Sequence, residues 1–184
     1  MDENKAIIVV DMINDFVTGR LGGEYAEAIV PDVRELLEKT KEKHMMRIFV
    51  QDSHEEDDPE IPHWGQHAMK DEEGSETIPE LQGLANKKIN KRFYDSFYKT
   101  DLEKILKQNG IDRVILVGVT TDICIQNTAA GAFYRGFDIT VLKDCTAALS
   151  KERHENALEY MRTIFGVEVS SSEEIIATMA PDQN

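Results

Sequence analysis

The stretch Val114-Ile115-Leu116-Val117-Gly118-Val119-Thr120-Thr121-Asp122-Ile123-Cys124 decides how this chain folds. Residues 114–117, apolar and mostly β-branched, read as a strand buried on both faces. Gly118 ends the run, small and polar residues follow, and a helical pattern opens with Asp122 near its start. Cys124 is therefore expected where a strand hands over to a helix N-terminus. Unpaired N–H groups and the helix dipole favour a thiolate there. The same N–H groups suit the oxyanion of an acyl-transfer intermediate. Taken alone, the stretch is also open to a buried cysteine acting as a small hydrophobe.

Working outward, residues 6–10 form an apolar run that ends on Asp11, and residues 47–51 form another that delivers Asp52. Residues 139–142 and 167–169 read as later strands. Helices are expected between them. One runs to about Lys43, with Pro31 at its first turn and Ile29, Val30, Val33, Leu36 and Leu37 at helical spacing. Another opens on a Thr100/Glu103 capping box, with Leu102, Ile105 and Leu106 as its apolar face, and stops at Gly110. A third follows Asp122 and ends near Gly136. A fourth, capped by Ser150 and stopped by Gly166, is predicted to bury Ala157, Leu158, Met161, Ile164 and Phe165. Residues 172–178 form a short last helix. Strands alternating with helices mean βαβ units. The expectation is one domain over residues 1–184, a three-layer α/β/α fold with a mainly parallel, Rossmann-like central sheet. Ligands in such sheets sit outside the carboxyl ends of the strands. Asp11, Asp52 and Cys124 all fall at such ends.

Composition narrows the partners. The 35 acidic against 21 basic residues give a net charge of -14, which argues against nucleic acid or an anionic membrane surface. No apolar run approaches the ~20 residues of a membrane span. Met1-Asp2-Glu3-Asn4-Lys5 lacks the features of a signal peptide, and two cysteines make no disulfide framework. A cytoplasmic location is the expectation.

Residues 52–80 show neither helical nor strand periodicity, and a loop of that length is expected to be functional or disordered. Asp52-Ser53-His54 places a carboxylate and an imidazole at i and i+2, on one side of an extended segment. His63 and His67 lie downstream, so either can complete an Asp/His/His set with open positions for Zn²⁺, Mn²⁺ or Fe²⁺. Glu60 offers a further oxygen, and a merely solvated loop is the alternative. Trp64, the only tryptophan, reads as a flat wall for a planar substrate or as a loop anchor. Cys124 is the nucleophile candidate and Asp11 the base. Lys91 is one of several lysines, with Lys87, Lys88, Lys99, Lys104 and Lys107, any of which could be a solvated charge. Cys145 reads as buried and inert, and His44 and His154 receive no role.

Together these residues resemble the isochorismatase-like cysteine hydrolases, most of all the nicotinamidases (pyrazinamidases). Four motifs carry the resemblance, across residues 6–169: the strand into Asp11 with Asp15-Phe16; Lys91-x-x-Tyr94-x-x-Phe97-x-x-Thr100-Asp101-Leu102; Gly118 to Cys124; and Asp52-x-His54 with Trp64-x-x-His67. The resemblance implies an isochorismatase-like fold with Asp11, Lys91 and Cys124 as catalytic residues. It implies a cis peptide between Val119 and Thr120, and an oxyanion hole from the backbone N–H groups of Thr120 and Cys124. It selects His67 over His63 as the third metal ligand beside Asp52 and His54, matches Glu60 to a glutamate that reaches the metal in some members, and places Zn²⁺ ahead of Mn²⁺ or Fe²⁺. Phe16, Trp64 and Tyr94 would line the substrate. A homo-oligomer is expected on the same ground. Tyr94-Asp95-Ser96-Phe97 departs from the family's Tyr-Ser-Ala-Phe, and the metal loop is shorter than in many nicotinamidases. Both departures bear on the pocket.

The implied reaction is amide hydrolysis through a thioester, with nicotinamide giving nicotinate and ammonia. In it Asp11 takes the Cys124 proton and Lys91 stabilises the thiolate. The alternatives are an N-carbamoylsarcosine amidase or another ureido or amide hydrolase of the superfamily, and a non-catalytic ligand-binding homologue. Relatives that cleave the vinyl ether of isochorismate do not use a nucleophilic cysteine, so Cys124 argues against that chemistry.

Overall fold

A computed structural model describes residues 4–179. The N-terminal residues 1–3 and the tail 180–184 lie outside it, so the ends of the expected domain and most of the signal-peptide reading are not covered. Six strands, β1 (Lys5–Val10), β2 (Met46–Asp52), β3 (Lys87–Lys91), β4 (Arg113–Val119), β5 (Asp138–Ala147) and β6 (Glu168–Ser170), form one sheet in the order β3-β2-β1-β4-β5-β6. Every pairing is parallel.

Strand periodicity sorts the core into two layers. Ile8, Val10, Val50, Leu116 and Val141 face one side, against Leu102 and Leu106 of α5 (Leu102–Gln108), Ala129 and Ala132 of α6 (Gln126–Tyr134) and Met161 of α7 (Lys151–Phe165). Ile7, Val9, Phe49, Ile115 and Val117 face the other, against Val33, Leu36 and Leu37 of α3 (Val30–Glu42). Each fully buried Ile or Leu is worth roughly 1.5–3 kcal/mol, which is why continuous apolar runs take the centre. One-turn helices α1 (Asn14–Val17), α2 (Glu24–Glu27) and α4 (Ile61–Trp64) punctuate the long loops, and α8 (Ser172–Thr178) closes the described chain.

The order reverses between β1 and β4, which opens a crevice at their carboxyl ends. Val10 is in register with Gly118, and Asp52 with Lys91. Gly118 has φ 116°, and a Cβ there would lie 2.0 Å from the carbonyl oxygen of Val10. Only glycine lets β1 and β4 approach this closely at the site.

Several expectations are corrected. Residues 87–91 make an edge strand, although only Ile89 and Lys91 of them are buried. Strand β5 continues to Ala147, so Cys145 lies on a strand rather than after one. The Thr100/Glu103 capping box does not form. Asp101 is the residue before α5, and Glu103 instead pairs with Lys107 and Arg135, at 2.5 and 2.9 Å. In α7, Ala157 and Met161 turn inward and Phe165 follows at the same spacing, partly buried, while Ile164 falls at the stripe's edge and is 53% exposed. Ser150 and Gly166 do cap α7, the first by accepting from Arg153 N–H and the second in a left-handed conformation.

Candidate active site

Three adjacent strand ends put the charged residues side by side. Asp11 leaves β1 in a left-handed conformation, φ 55°, which aspartate tolerates better than most residues. Its Oδ1 accepts from Asp52 N–H at 2.8 Å. Lys91, at the end of β3, sends its Nζ to 2.8 Å from Asp11 Oδ2 and 3.7 Å from Cys124 Sγ, and it also bonds Asp52 Oδ1. All three charged side chains are fully buried.

Electrostatics follow from that burial. Burial and the neighbouring Asp52 push the Asp11 carboxyl up to about 6, against the pull of Lys91. Burial opposes the charge of Lys91, but Asp11 and Asp52 outweigh it and hold the ammonium well above its ordinary range. Burial likewise opposes ionisation of Asp52, yet Lys91 and His54 bring it below the usual carboxylate range. The thiol of Cys124 is pushed well above its ordinary value by burial, Lys91 pulling the other way and Asp11 and Asp52 adding to the rise. This runs against the expectation of a lowered thiol pKa: burial outweighs Lys91, and the thiol sits beside a carboxylate placed to take its proton.

The turn carrying Cys124 is wider than a normal helical turn. Ile125 N–H reaches back five residues to Thr120 O at 3.1 Å, and α6 continues from there. The Val119–Thr120 peptide is cis. Among the described residues, neither Thr120 N–H nor Cys124 N–H donates to a backbone carbonyl outside the Thr121–Ile125 turn. Two successive residues of α7 hold this turn: Arg153 pairs with Asp122, and His154 Nδ1 lies 2.8 Å from Thr121 Oγ1.

The loop after β2 folds back on itself. His54 N–H donates to Ala68 O, and Lys70 N–H donates to His54 O, each at 2.9 Å. Asp15 accepts from Ala68 N–H at 2.7 Å and ties this loop to the one after β1. His54 and His67 thereby come within 4.7 Å, ring centre to ring centre. Donor atoms of Asp52, His54, Glu60 and His67 all lie within 4.8 Å of one another. Asp52 Oδ2, His54 Nε2 and Glu60 Oε1 are buried without a hydrogen-bond partner. Such orphaned atoms are costly unless something positive joins them. Burial and Asp52 push Glu60 up to about 8. His54 rises to about 9 because Asp52, Asp58 and Glu60 outweigh its burial. Buried oxygen and nitrogen donors that converge on one point and lack partners fit a divalent cation. His63, the alternative ligand, is outside this group.

Both centres open on one cavity of about 560 Å³, solvent at its mouth included. Phe16, Trp64 and Tyr94 line it, and Trp64 Nε1 donates to Tyr94 Oη at 3.0 Å. Leu21, Tyr25, Ile123 and Leu149 complete the apolar wall.

The family model for the isochorismatase domain matches residues 5–174. The chain belongs to the isochorismatase family. This isochorismatase-family hydrolase is 40% identical to the N-carbamoylsarcosine amidase of Thermoplasma acidophilum, over 92% of this chain and 97% of that one, with a TM-score of 0.87. It is 33% identical to a pyrazinamidase of Pyrococcus horikoshii solved in complex with zinc, over 91% and 99% of the two chains, with a TM-score of 0.84. Nicotinamidase 3 of Arabidopsis thaliana is 30% identical over 88% of this chain and 81% of its own length. No helix among the described residues of this isochorismatase-family chain is long and apolar enough to cross a membrane.

Some site residues escaped the sequence. Leu21 and Tyr25, the latter on α2, come from the segment between β1 and α3, and Leu149 from the loop after β5, with no pattern in common. His154, given no role, holds the Cys124 turn. Asp58 and Arg92 brace His54, and a pair thirty-four residues apart leaves no local signal.

Proposed function

We propose that this chain is a metal-containing cysteine amidohydrolase that cleaves a small neutral amide through a thioester, with nicotinamide as the leading substrate. One observation carries the reading. Lys91 stands between Asp11 and Cys124 on one side and Asp52 on the other, so it joins a nucleophile centre to a metal-type centre in one cavity.

Asp11, with a carboxyl near 6, accepts the Cys124 proton at neutral pH. Lys91 holds its positive charge against both the thiolate and the carboxylate. The thiolate attacks the amide carbon, and the backbone N–H groups of Thr120 and Cys124 take the oxyanion. Asp11 returns the proton to the departing ammonia, then draws a proton from the water that cleaves the thioester. A divalent cation held by Asp52, His54, His67 and Glu60, Zn²⁺ foremost, supplies a Lewis-acid anchor for the substrate ring. Phe16 and Trp64 flank the ring.

A second reading, N-carbamoylsarcosine hydrolysis, is favoured by the 40% identity to the archaeal amidase. The cavity weighs against it. Phe16, Tyr25, Trp64 and Tyr94 wall the cavity, a shape suited to a flat neutral ring rather than to a flexible carboxylate-bearing chain, and among the described residues no lysine or arginine lines it. The test is ammonia release from nicotinamide, pyrazinamide and N-carbamoylsarcosine, with and without a chelator. Release from nicotinamide that is lost on chelation and restored by Zn²⁺ is expected. Chelator-resistant release from N-carbamoylsarcosine alone would overturn the reading. A single domain, a cytoplasmic location and a homo-oligomer remain part of this proposal.

A further inference from the structure

We propose that Asp58 and Arg92 form an outer clamp that sets the orientation and tautomer of His54 and thereby the affinity of this site for a divalent cation. The inference rests on the metal reading above. His54 Nδ1 lies 3.0 Å from Asp58 Oδ2. A carboxylate there accepts the Nδ1 hydrogen and leaves the Nε2 lone pair free. Nε2 points at the donor group, 3.4 Å from Asp52 Oδ2 and 3.7 Å from Glu60 Oε2.

Asp58 is itself fixed. It is 2% exposed, and its Oδ2 also accepts from Glu55 N–H at 2.9 Å. Arg92 reaches its Oδ1 with Nε at 2.7 Å and with Nη2. The guanidinium extends the grip to Glu55 and Asp57, both at 3.2 Å. A planar fork holds a carboxylate in one orientation in a way an ammonium cannot.

Chain geometry links the two halves of the site. Lys91 ends β3 and Arg92 follows it directly, and their side chains leave the chain in different directions. Lys91 takes Asp52, and Arg92 takes Asp58, so two adjacent residues fix the neighbours of His54 from both sides. Among the described residues, His67 has no such side-chain partner. Its Nδ1 is held 2.7 Å from the backbone carbonyl of Gly65. Tuning by side chains therefore acts through His54. Outer partners of this kind typically change metal affinity by about 10–100-fold.

The experiment measures Zn²⁺ affinity by competition with a chromogenic chelator, together with the melting temperature of each metal-free protein. Variants are Asp58→Asn, Arg92→Ala and Arg92→Lys, with His54→Ala as the reference for a lost ligand. Asp58→Asn is expected to weaken Zn²⁺ binding by about 10–100-fold. Arg92→Ala should weaken it in the same direction, and Arg92→Lys should recover only part of the loss. Arg92 is partly exposed, so its variants keep the test open if Asp58→Asn fails to fold. Unchanged affinity in Asp58→Asn or Arg92→Ala, alongside a lowered metal-free melting temperature, would show a mere loop staple and overturn the clamp. If His54→Ala loses Zn²⁺ while both clamp variants keep it, the clamp alone fails. If the unmodified protein does not bind Zn²⁺, the metal reading fails and the clamp with it.

Discussion

Lys91→Met keeps the bulk of the side chain and removes the charge that Asp11 and Asp52 share. All three groups are fully buried, so solvent does not screen the loss. Removing one partner of a buried ion pair costs about 3–5 kcal/mol, because the charge left behind has no water to turn to. Here two carboxylates are left facing each other. With a urea slope of about 2 kcal/mol/M, the unfolding midpoint should drop by about 2 M. The sign of the pH dependence follows from the same contacts. Asp11 is already raised to about 6 in the presence of Lys91, and loses its main opposing cation in the variant. A carboxyl raised in the folded state holds a proton that the unfolded chain, near 3.9, has released. Native stability then falls as pH rises through that interval and beyond, up to the folded pKa. The deficit of Lys91→Met against the unmodified protein should therefore widen from pH 5 to pH 8. The assay is urea unfolding across that range with chelator present, so that no cation replaces the lysine. A midpoint shift under about 0.5 M, or a deficit independent of pH, would refute the view that Lys91 neutralises the buried pair.

Cys124→Ala should abolish ammonia release while the melting temperature stays within a few degrees of the unmodified protein. Undiminished release would sink the thioester scheme. In the pH profile of kcat/KM, activity should rise with pH as Asp11 ionises, since only its carboxylate can accept the thiol proton. The limb should lie at or below about 6, because a cation at Asp52 draws the Asp11 pKa down, and a profile flat from pH 4 to 7 contradicts the assignment. Gly118→Ala places a Cβ 2.0 Å from the Val10 carbonyl oxygen, at φ 116°. It should cost at least about 2 kcal/mol in urea unfolding and a larger share of activity.

The strands at residues 6–10, 47–51 and 114–117 were legible because β-branched apolar runs report burial on both faces of a parallel sheet, whatever packs against them. The residues at their ends were legible for a related reason: the chain rule that places ligands at strand termini turns a sequence position into a place. Strand β3 was not legible, since its outer residues are lysines and asparagine and only Ile89 and Lys91 turn inward. Its pairing with β2 is decided by register, which a single segment does not encode.

The sequence by itself determined the fold class, the strand-to-helix segment that carries Cys124, and which acids and histidines were available. Only the tertiary structure decided what each does in company. Lys91 differs from Lys87, Lys88 and Lys104 because register lays it beside Asp52 and beneath Cys124. Glu103 abandons a local cap because Arg135, thirty-two residues away, offers a charged partner. The Cys124 thiol is raised rather than lowered because desolvation depends on everything packed around it. Local order follows from neighbours along the chain, whereas charge, tautomer and pKa follow from neighbours across it.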